Sequence, residues 1–228
     1  KIEVTTFRTE SDYSDGRHPD NIKYASSIEE DLSRRDFTMN AIALNLKDGS
    51  IVDPFNGQKD IKNKIIKTCG NPIERFSEDG LRPIRAIRFS SQLNFSIDKD
   101  TLNAIPLTIE KTKKISIERF HDEFIKLLKS DKPSVGLKLL EQTNLLKVFI
   151  EELANCRGVS QSDQRGYHQF DVLDHLFYAC DGAPKSNFIV RLAALFHDIG
   201  KVQAKKEEKR IDNNGNEFIA LTFYNHEK

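Results

Sequence analysis

The chain has 228 residues, with 35 Lys and Arg against 35 Asp and Glu; this zero formal charge excludes a uniformly basic tail or an acidic mimic of nucleic acid, so any polyanion must be met by a local patch. Its three cysteines, Cys69, Cys156 and Cys180, are odd in number and far apart, which fits neither a disulfide framework nor a Cys-x-x-Cys metal knuckle and points to a reducing, cytoplasmic setting. No apolar run approaches the roughly 18 residues of a membrane span, so no membrane partner is expected.

From Lys1 to about Lys67 short alternating runs (Ile2 to Phe7, Ile42 to Leu46, Ile51 to Val52, Ile65 to Thr68) predict strands, separated by turn chemistry at Asp48-Gly49 and Asn56-Gly57. The polar stretch from Thr9 to Ser27 reads as a flexible loop, after which Ser27 caps a helix with Glu30 completing a capping box. Beyond Asn71 the apolar period becomes 3.6, and helices are expected near 72–78, 79–93, 100–107, 116–129, 134–142 and 145–155. A Gly- and Ser-bearing connector leads to helices near 171–181 and 187–199 and to a hairpin around Asn214-Gly215. The chain opens on KIEVTTFRTE and contains Met39 as its one methionine, which reads as a fragment of a longer protein.

The segment SRRDFTMNA, Ser33 to Ala41, sets two arginines beside an aspartate, a threonine and an asparagine. Arg grips phosphate oxygens bidentately while Asp fixes the guanidinium, so the run suits a triphosphate site, and it suits a helix terminus with its ion pairs equally well. In RFSEDGLRPIRAIRF, Arg75 to Phe89, a helix would put Glu78, Asp79 and Arg82 on one side, with Glu78 and Arg82 as an i,i+4 pair, and Leu81, Ile84 and Ile87 on a separate apolar stripe. The bland alternative is a solvated helix face. The sharper one is base recognition. Cytosine and adenine each present an amino donor beside a ring-nitrogen acceptor, so a carboxylate next to a guanidinium accepts C and A and rejects U and G.

Together with FRTESDYSDGRHPD, DPFNGQKDI and ISIERFHDEF, these segments resemble, in order, the class II tRNA nucleotidyltransferase and poly(A) polymerase family, most closely its bacterial CCA-adding branch. The resemblance implies an α+β, mostly α protein: a partial polymerase-beta-like nucleotidyltransferase head over 1–66, a helical neck and RNA-binding region over 67–150, and an all-α, truncated HD domain over 151–228. It implies transfer of CMP and AMP from CTP and ATP to the 3′ end of tRNA, with Mg2+ in the head. Arg34, Arg35, Asp36 and Asn40 would bind nucleotide, with Asp53 to Gly57 as a third family motif. Glu78, Asp79 and Arg82 would form the template, with Arg85 also binding nucleotide, and Glu118, Arg119 and Glu123 the neck motif that steadies it. Lys111, Lys113, Lys114, Lys126, Lys129, Lys132 and Lys138 would supply a patch for the tRNA backbone.

The superfamily holds two magnesium ions on three carboxylates, two of them in an Asp-x-Asp strand that follows a Gly-Ser or Gly-Gly phosphate loop, a combination this sequence lacks. Glu3, between Ile2 and Val4, fits the third, as catalytic and metal-binding residue, and the Asp-x-Asp strand is expected upstream of Lys1. In DVLDHLFYAC and AALFHDIGK, His175, His197 and Asp198 have the spacing of the HD phosphohydrolase superfamily and would hold a divalent metal. Two alternatives stand: a poly(A) polymerase or A-adding relative, and an HD-type metal-dependent phosphohydrolase. Asp212 is a weaker candidate for a further ligand, and His121 and His168 read as surface residues.

Overall fold

The computed structural model describes residues 4, 6–11, 21–161 and 169–225. The chain divides into two compact units, Lys1–Phe124 and Ile125–Lys228.

In the first unit, β1 (Arg8–Ser11) and β2 (Asn21–Tyr24) pair antiparallel, with Arg8 opposite Tyr24. The expected loop is therefore in part a ribbon, because the alternation in Asn21–Tyr24 pairs with the polar strand before it. The strand expected over Ile2–Phe7 does not extend to its described residues 4, 6 and 7. Ser27 caps α1 (Ile28–Ser33) as expected, its hydroxyl accepting the Glu30 N–H, while the Glu30 carboxylate reaches back to Ser26. A 3-10 turn, Thr38–Asn40, precedes β3 (Ala43–Leu44) and β4 (Ile51–Val52), an antiparallel pair turned at Gly49, which sits at φ 74°. Asn56-Gly57 lies between the strands Ile51–Val52 and Ile65–Ile66 as expected, with Asn56 in the left-handed region starting α2 (Gly57–Asn63). Then follow β5 (Ile65–Ile66), α3 (Pro72–Glu78), α4 (Arg82–Leu93), β6 (Ser96–Ile97, parallel to β5), α5 (Lys99–Leu107) and α6 (Ile109–Thr112). Helix α7 (Ile117–Leu128) spans the boundary between the units.

The helix expected over 79–93 begins three residues late. Asp79 leaves α3 at φ −138°, ψ 110°, and its Oδ1 accepts the Leu81 N–H at 3.0 Å. A Cβ on Gly80 would stand 2.5 Å from the Lys111 carbonyl oxygen, so the backbone of α6 presses directly on the break and admits no side chain there. Pro83 in the first turn restarts the helix. The stripe Leu81, Ile84 and Ile87 is buried as expected, beside Phe76 of α3.

The second unit holds α8 (Pro133–Gln142), α9 (Leu145–Phe149), α10 (Glu151–Ala154), α11 (Val172–Gly182), α12 (Phe188–Phe196) and α13 (Lys201–Ala204). The single helix expected over 145–155 is divided at Ile150, whose φ of −143° is not helical, and the one expected over 187–199 ends at Phe196. Asp171 caps α11, and the core gathers Leu137, Leu140, Leu146, Leu173, Leu176 and Phe177. The hairpin expected around Asn214-Gly215 is present as β7 (Lys206–Ile211) and β8 (Glu217–Thr222), paired antiparallel around Gly215 at φ 84°, so the span 151–228, expected as an all-α domain, is not all-α. The Asn-Gly turn and the alternation in EFIALT override helix there. The described chain is thus mostly helical with few strands.

Candidate active site

Helix α1 ends by fanning two arginines from one acid. Asp31, 2% exposed, accepts Arg34 Nε and Nη2 at Oδ1 (3.0 and 2.7 Å) and Arg35 Nη2 at Oδ2 (3.3 Å), as i+3 and i+4 spacing permits. The chain then extends through Phe37, fully buried, and turns at Thr38–Asn40. That turn is braced from below: Thr38 Oγ1 donates to Asp60 Oδ2 at 2.7 Å, and a Cβ on Gly57 would lie 2.1 Å from the Thr38 carbonyl oxygen. Asp53 accepts the N–H groups of Gly57 and Gln58 at 2.6 and 3.0 Å, so the DPFNG segment serves as the cap and close contact that hold the turn.

Asp36 stands at the junction. Its Oδ2 accepts both Nε and Nη2 of Arg85 (2.9 and 2.7 Å) and its Oδ1 accepts Asn40 Nδ2 and the Phe37 N–H (3.0 and 2.9 Å). Burial pushes this carboxyl up, but Arg85, Asn40 and the Phe37 N–H together outweigh it and hold the pKa below the ordinary carboxylate value.

From the other side, Arg82 of α4, 8% exposed, donates through Nη1 to Glu78 Oε2 (2.6 Å) and the Arg75 carbonyl (2.9 Å), and through Nη2 to the Arg34 carbonyl (2.9 Å). The i,i+4 pair is present although the helix is interrupted between its members. Asp79, expected beside them on one helix face, is instead turned toward α7, where Arg119 Nη2 donates to both its oxygens at 3.0 and 2.9 Å. Glu123 pairs with Arg88 of α4, while Glu118 and His121 are exposed.

These elements enclose an open cleft of about 470 Å³, lined by Arg34, Arg35, Asp36 and Asn40 from one side and by Asp79, Arg82, Arg85 and Phe89 from the other. Seven of the eight are residues that the sequence singles out, and the four arginines outnumber the two acids, so the cleft suits an anion. Sequence reasoning passes over Asp31, Arg88 and Phe89. Asp31 is legible in principle from its i+3 and i+4 spacing to the two arginines, whereas an aromatic at a helix's third turn carries no mark that tells wall from core.

Glu3 lies outside the described residues. The two carboxylates lining the cleft are both hydrogen-bonded to arginines, and neither joins a cluster of acids; among the described residues, the cleft therefore does not itself form a magnesium site. The second unit differs. His175 Nε2 and His197 Nε2 are 3.2 Å apart, and each is 3.3 Å from Asp198 Oδ2. Donors about 2.1 Å from one ion stand ~3.0 Å apart at right angles and ~3.4 Å apart at tetrahedral angles, so these three fit a single divalent cation. Asp212 instead caps the β7–β8 turn, accepting the N–H groups of Asn214 and Asn216, and His168 lies outside the described residues. Lys111, Lys113 and Lys114 are exposed in the first unit, and Lys126, Lys129 and Lys132 in the second; Lys138 donates to the Tyr178 hydroxyl at 2.7 Å. The thiols of Cys69, Cys156 and Cys180 are buried and pushed up to about 12, 11 and 12, which keeps them protonated. No helix among the described residues is long and apolar enough to cross a membrane.

Comparison with known proteins gives the class. Residues 1–67 match the family described as poly A polymerase head domain, and residues 94–157 match the probable RNA and SrmB-binding site of polymerase A. The chain belongs to the tRNA nucleotidyltransferase and poly(A) polymerase family. It is 49% identical over 160 residues to the CCA-adding enzyme of Ligilactobacillus salivarius (strain UCC118), covering 69% of this chain and 39% of that protein. Identity to the CCA-adding enzyme of Geobacillus sp. (strain WCH70) is 52% over 143 residues, covering 63% and 35%. Among solved structures it is similar to the Bacillus stearothermophilus CCA-adding enzyme in complex with CTP, with a TM-score of 0.59 at 35% identity over 84% of this chain and 46% of that one. The chain thus spans 35–46% of the length of these relatives.

Proposed function

We propose that this chain is part of a CCA-adding tRNA nucleotidyltransferase, which transfers CMP and AMP from CTP and ATP to the tRNA 3′ end in the cytoplasm. The observation that carries the reading is the convergence of Arg34, Arg35, Asp36, Asn40, Asp79, Arg82 and Arg85, from separate segments, on one cleft. Arg35 turns to the triphosphate as a bidentate donor, while Arg34, held on Asp31, keeps the end of α1 in place beside it. Asp36 and Asn40 fix Arg85 and the turn beneath it. Three of the five N–H groups of Arg82 are used by Glu78 and two carbonyls, which leaves two for a ring nitrogen in the cleft it lines. Asp79, tethered by Arg119 and the Leu81 N–H, accepts the amino group beside that nitrogen. Cytosine and adenine satisfy both groups, and uracil and guanine neither. The organisation into head, neck and HD domain, with Glu3 among the magnesium ligands of the head, belongs to this reading.

Equilibrium dialysis of this chain against the four nucleoside triphosphates tests it. Tighter binding of CTP and ATP than of UTP and GTP is expected, and equal binding of all four would overturn it. Incorporation on a tRNA lacking its CCA end then separates a CCA-adding enzyme from an A-adding or poly(A)-forming relative, which would use ATP alone.

The His175, His197 and Asp198 cluster favours a second activity in the same protein, that of an HD-type phosphohydrolase. The two imidazoles and the carboxylate would hold the ion, which would polarise a phosphoryl oxygen and lower the pKa of a bound water. Lys201, whose Nζ donates to Asp198 Oδ2 at 2.6 Å and to Gln161 Oε1 at 2.7 Å, orients the carboxylate. Metal-dependent release of phosphate, abolished by His197→Ala, is the expected result.

A further inference from the structure

One wall of the cleft is not explained by charge. Phe89 follows Arg82 by seven residues and Arg85 by four on α4, so the three share a face over two turns. A ring that only packed would be buried like Phe37; Phe89 is half-buried and opens onto the cleft, meeting Phe37 edge-on at 5.9 Å between centroids and 86° between planes. Its neighbour in sequence covers one face: the guanidinium carbon of Arg88 lies 3.5 Å from the ring centroid, and that of Arg85 lies 5.4 Å away.

Arg88 is in turn fixed from behind. Its Nε donates to Glu123 Oε2 and its Nη1 to Gln92 Oε1, both at 2.7 Å, and Arg88 and Glu123 are 8% and 3% exposed. An ion pair this buried adds little stability over an apolar pair of the same size, because desolvation offsets the attraction; its value lies in holding groups in one orientation. The guanidinium it holds here is the one that lies over the Phe89 ring.

We infer that Phe89 is the stacking wall for the incoming nucleotide's base, and that Arg88 and Glu123 are a positioning pair for its ring. The inference rests on the reading of the cleft as a nucleotide site and adds a second kind of contact to it. Asp79 and Arg82 can fix a base only within its own plane, and a flat ring fixes the plane itself. With a cation on one face, the ring's π density is drawn toward that face, which favours a nucleobase on the other. Stacking reads only a π-face, so Phe89 contributes affinity without separating C from U, and contributes more for the larger purine.

The test is direct binding of ATP, CTP and UTP by this chain and its variants. Phe89→Ala weakens ATP and CTP by about 5- to 100-fold, ATP the more, with the CTP-to-UTP ratio unchanged. Phe89→Leu keeps the apolar contact with Phe37, preserves the unfolding midpoint and loses affinity similarly, whereas Phe89→Tyr stays within about twofold of the wild type. Arg88→Lys removes the flat guanidinium and weakens binding in the wild-type background but adds nothing to Phe89→Leu, the coupling expected of a residue that acts through the ring. Wild-type affinity in Phe89→Leu, with CTP and ATP still preferred over UTP and GTP, overturns this inference alone. Absence of nucleotide binding by the unaltered chain overturns the reading of the cleft and this inference with it.

Discussion

Replacing Arg119 by alanine separates stability from selectivity. Arg119 holds Asp79 through a shared Nη2 donor at 3.0 and 2.9 Å, with the two side chains 20% and 21% exposed. Solvent screens a pair this accessible, so its loss costs about 0.5–1 kcal/mol, which for a chain of this length shifts the unfolding midpoint by roughly 1–4 °C. The effect on recognition is larger. Asp79 sits outside both helices, and without Arg119 its one remaining tether is the Leu81 N–H at 3.0 Å, which leaves the carboxylate able to rotate out of register with Arg82. A two-point base contact is worth about 1–3 kcal/mol of discrimination, or roughly 5- to 150-fold. Arg119→Ala should therefore lower the preference for CTP over UTP by about fivefold or more while leaving the common triphosphate affinity nearly intact. Calorimetric titration with each nucleotide reads the ratio, and thermal unfolding reads the stability. An unchanged ratio in Arg119→Ala, with Asp79→Ala losing it, would refute the idea that Arg119 positions Asp79. An equal loss for all four nucleotides would refute the assignment of Asp79 to the base.

The remaining expectations concern the frame around the site. Because the folded pKa of Asp36 is depressed, the stability it contributes is present above the unfolded value of about 4 and is lost as pH falls through the folded one. The gap between wild type and Asp36→Asn in urea unfolding should be constant from neutral pH to about 5 and close toward pH 3; a gap unaltered at pH 3 contradicts the pairing with Arg85. Gly80→Ala puts a Cβ against the backbone at Lys111 and should cost about 1–3 kcal/mol. Gly136→Ala meets the buried Leu127 side chain, with Cδ1 at 2.7 Å and Cγ at 2.9 Å, rather than backbone, and gains helix propensity within α8, so its unfolding midpoint should lie above that of Gly80→Ala. His197→Ala should abolish uptake of zinc or manganese, measured by elemental analysis after dialysis, without altering CTP binding; undiminished metal would remove the three-residue cluster from consideration.

What the sequence makes legible follows from how local each signal is. The cleft residues are charged and grouped, so SRRDFTMNA and EDGLRPIR mark them before any coordinates do. Helices α3, α5, α7, α8 and α11 follow from apolar period and caps to within about two residues, the usual uncertainty of helix ends. The break at Asp79–Leu81 is written in the sequence as Asp-Gly followed by Pro83, but what makes glycine necessary at 80 is the carbonyl of Lys111, a contact across 31 positions that no local rule reaches. The ribbon of β1 and β2 is hidden for the opposite reason: β1 is polar throughout and the alternation in β2 lasts only four residues, so neither stands out from loop until its partner is known. Phe89 and Arg88 are hidden because their roles are relations between side chains, a ring under a guanidinium and a guanidinium against Glu123.

The ion pairs of the cleft also rank its arginines by how readily each can turn to a phosphate. Arg82 is 8% exposed and bound to three acceptors, and Arg34 is held on one Asp31 oxygen by two donors at 3.0 and 2.7 Å. Arg35 is held loosely, at 3.3 Å from the other oxygen and 3.4 Å from the Asn40 carbonyl, with 42% of its side chain exposed. A triphosphate entering the cleft competes for each guanidinium against its present carboxylate, and it wins first where that bond is longest and most screened. Arg35 is therefore the arginine that swings to the phosphates, while Arg34 and Arg82 keep the frame. Arg35→Ala should weaken all four nucleotides alike, flatten the dependence of binding on salt, and leave both the CTP-to-UTP ratio and the unfolding midpoint in place. Arg34→Ala should lower that midpoint, because Asp31, 2% exposed, then loses the two shorter hydrogen bonds that Arg34 donates to it at the end of α1. A salt dependence unaltered in Arg35→Ala but lost in Arg34→Ala would reverse the assignment.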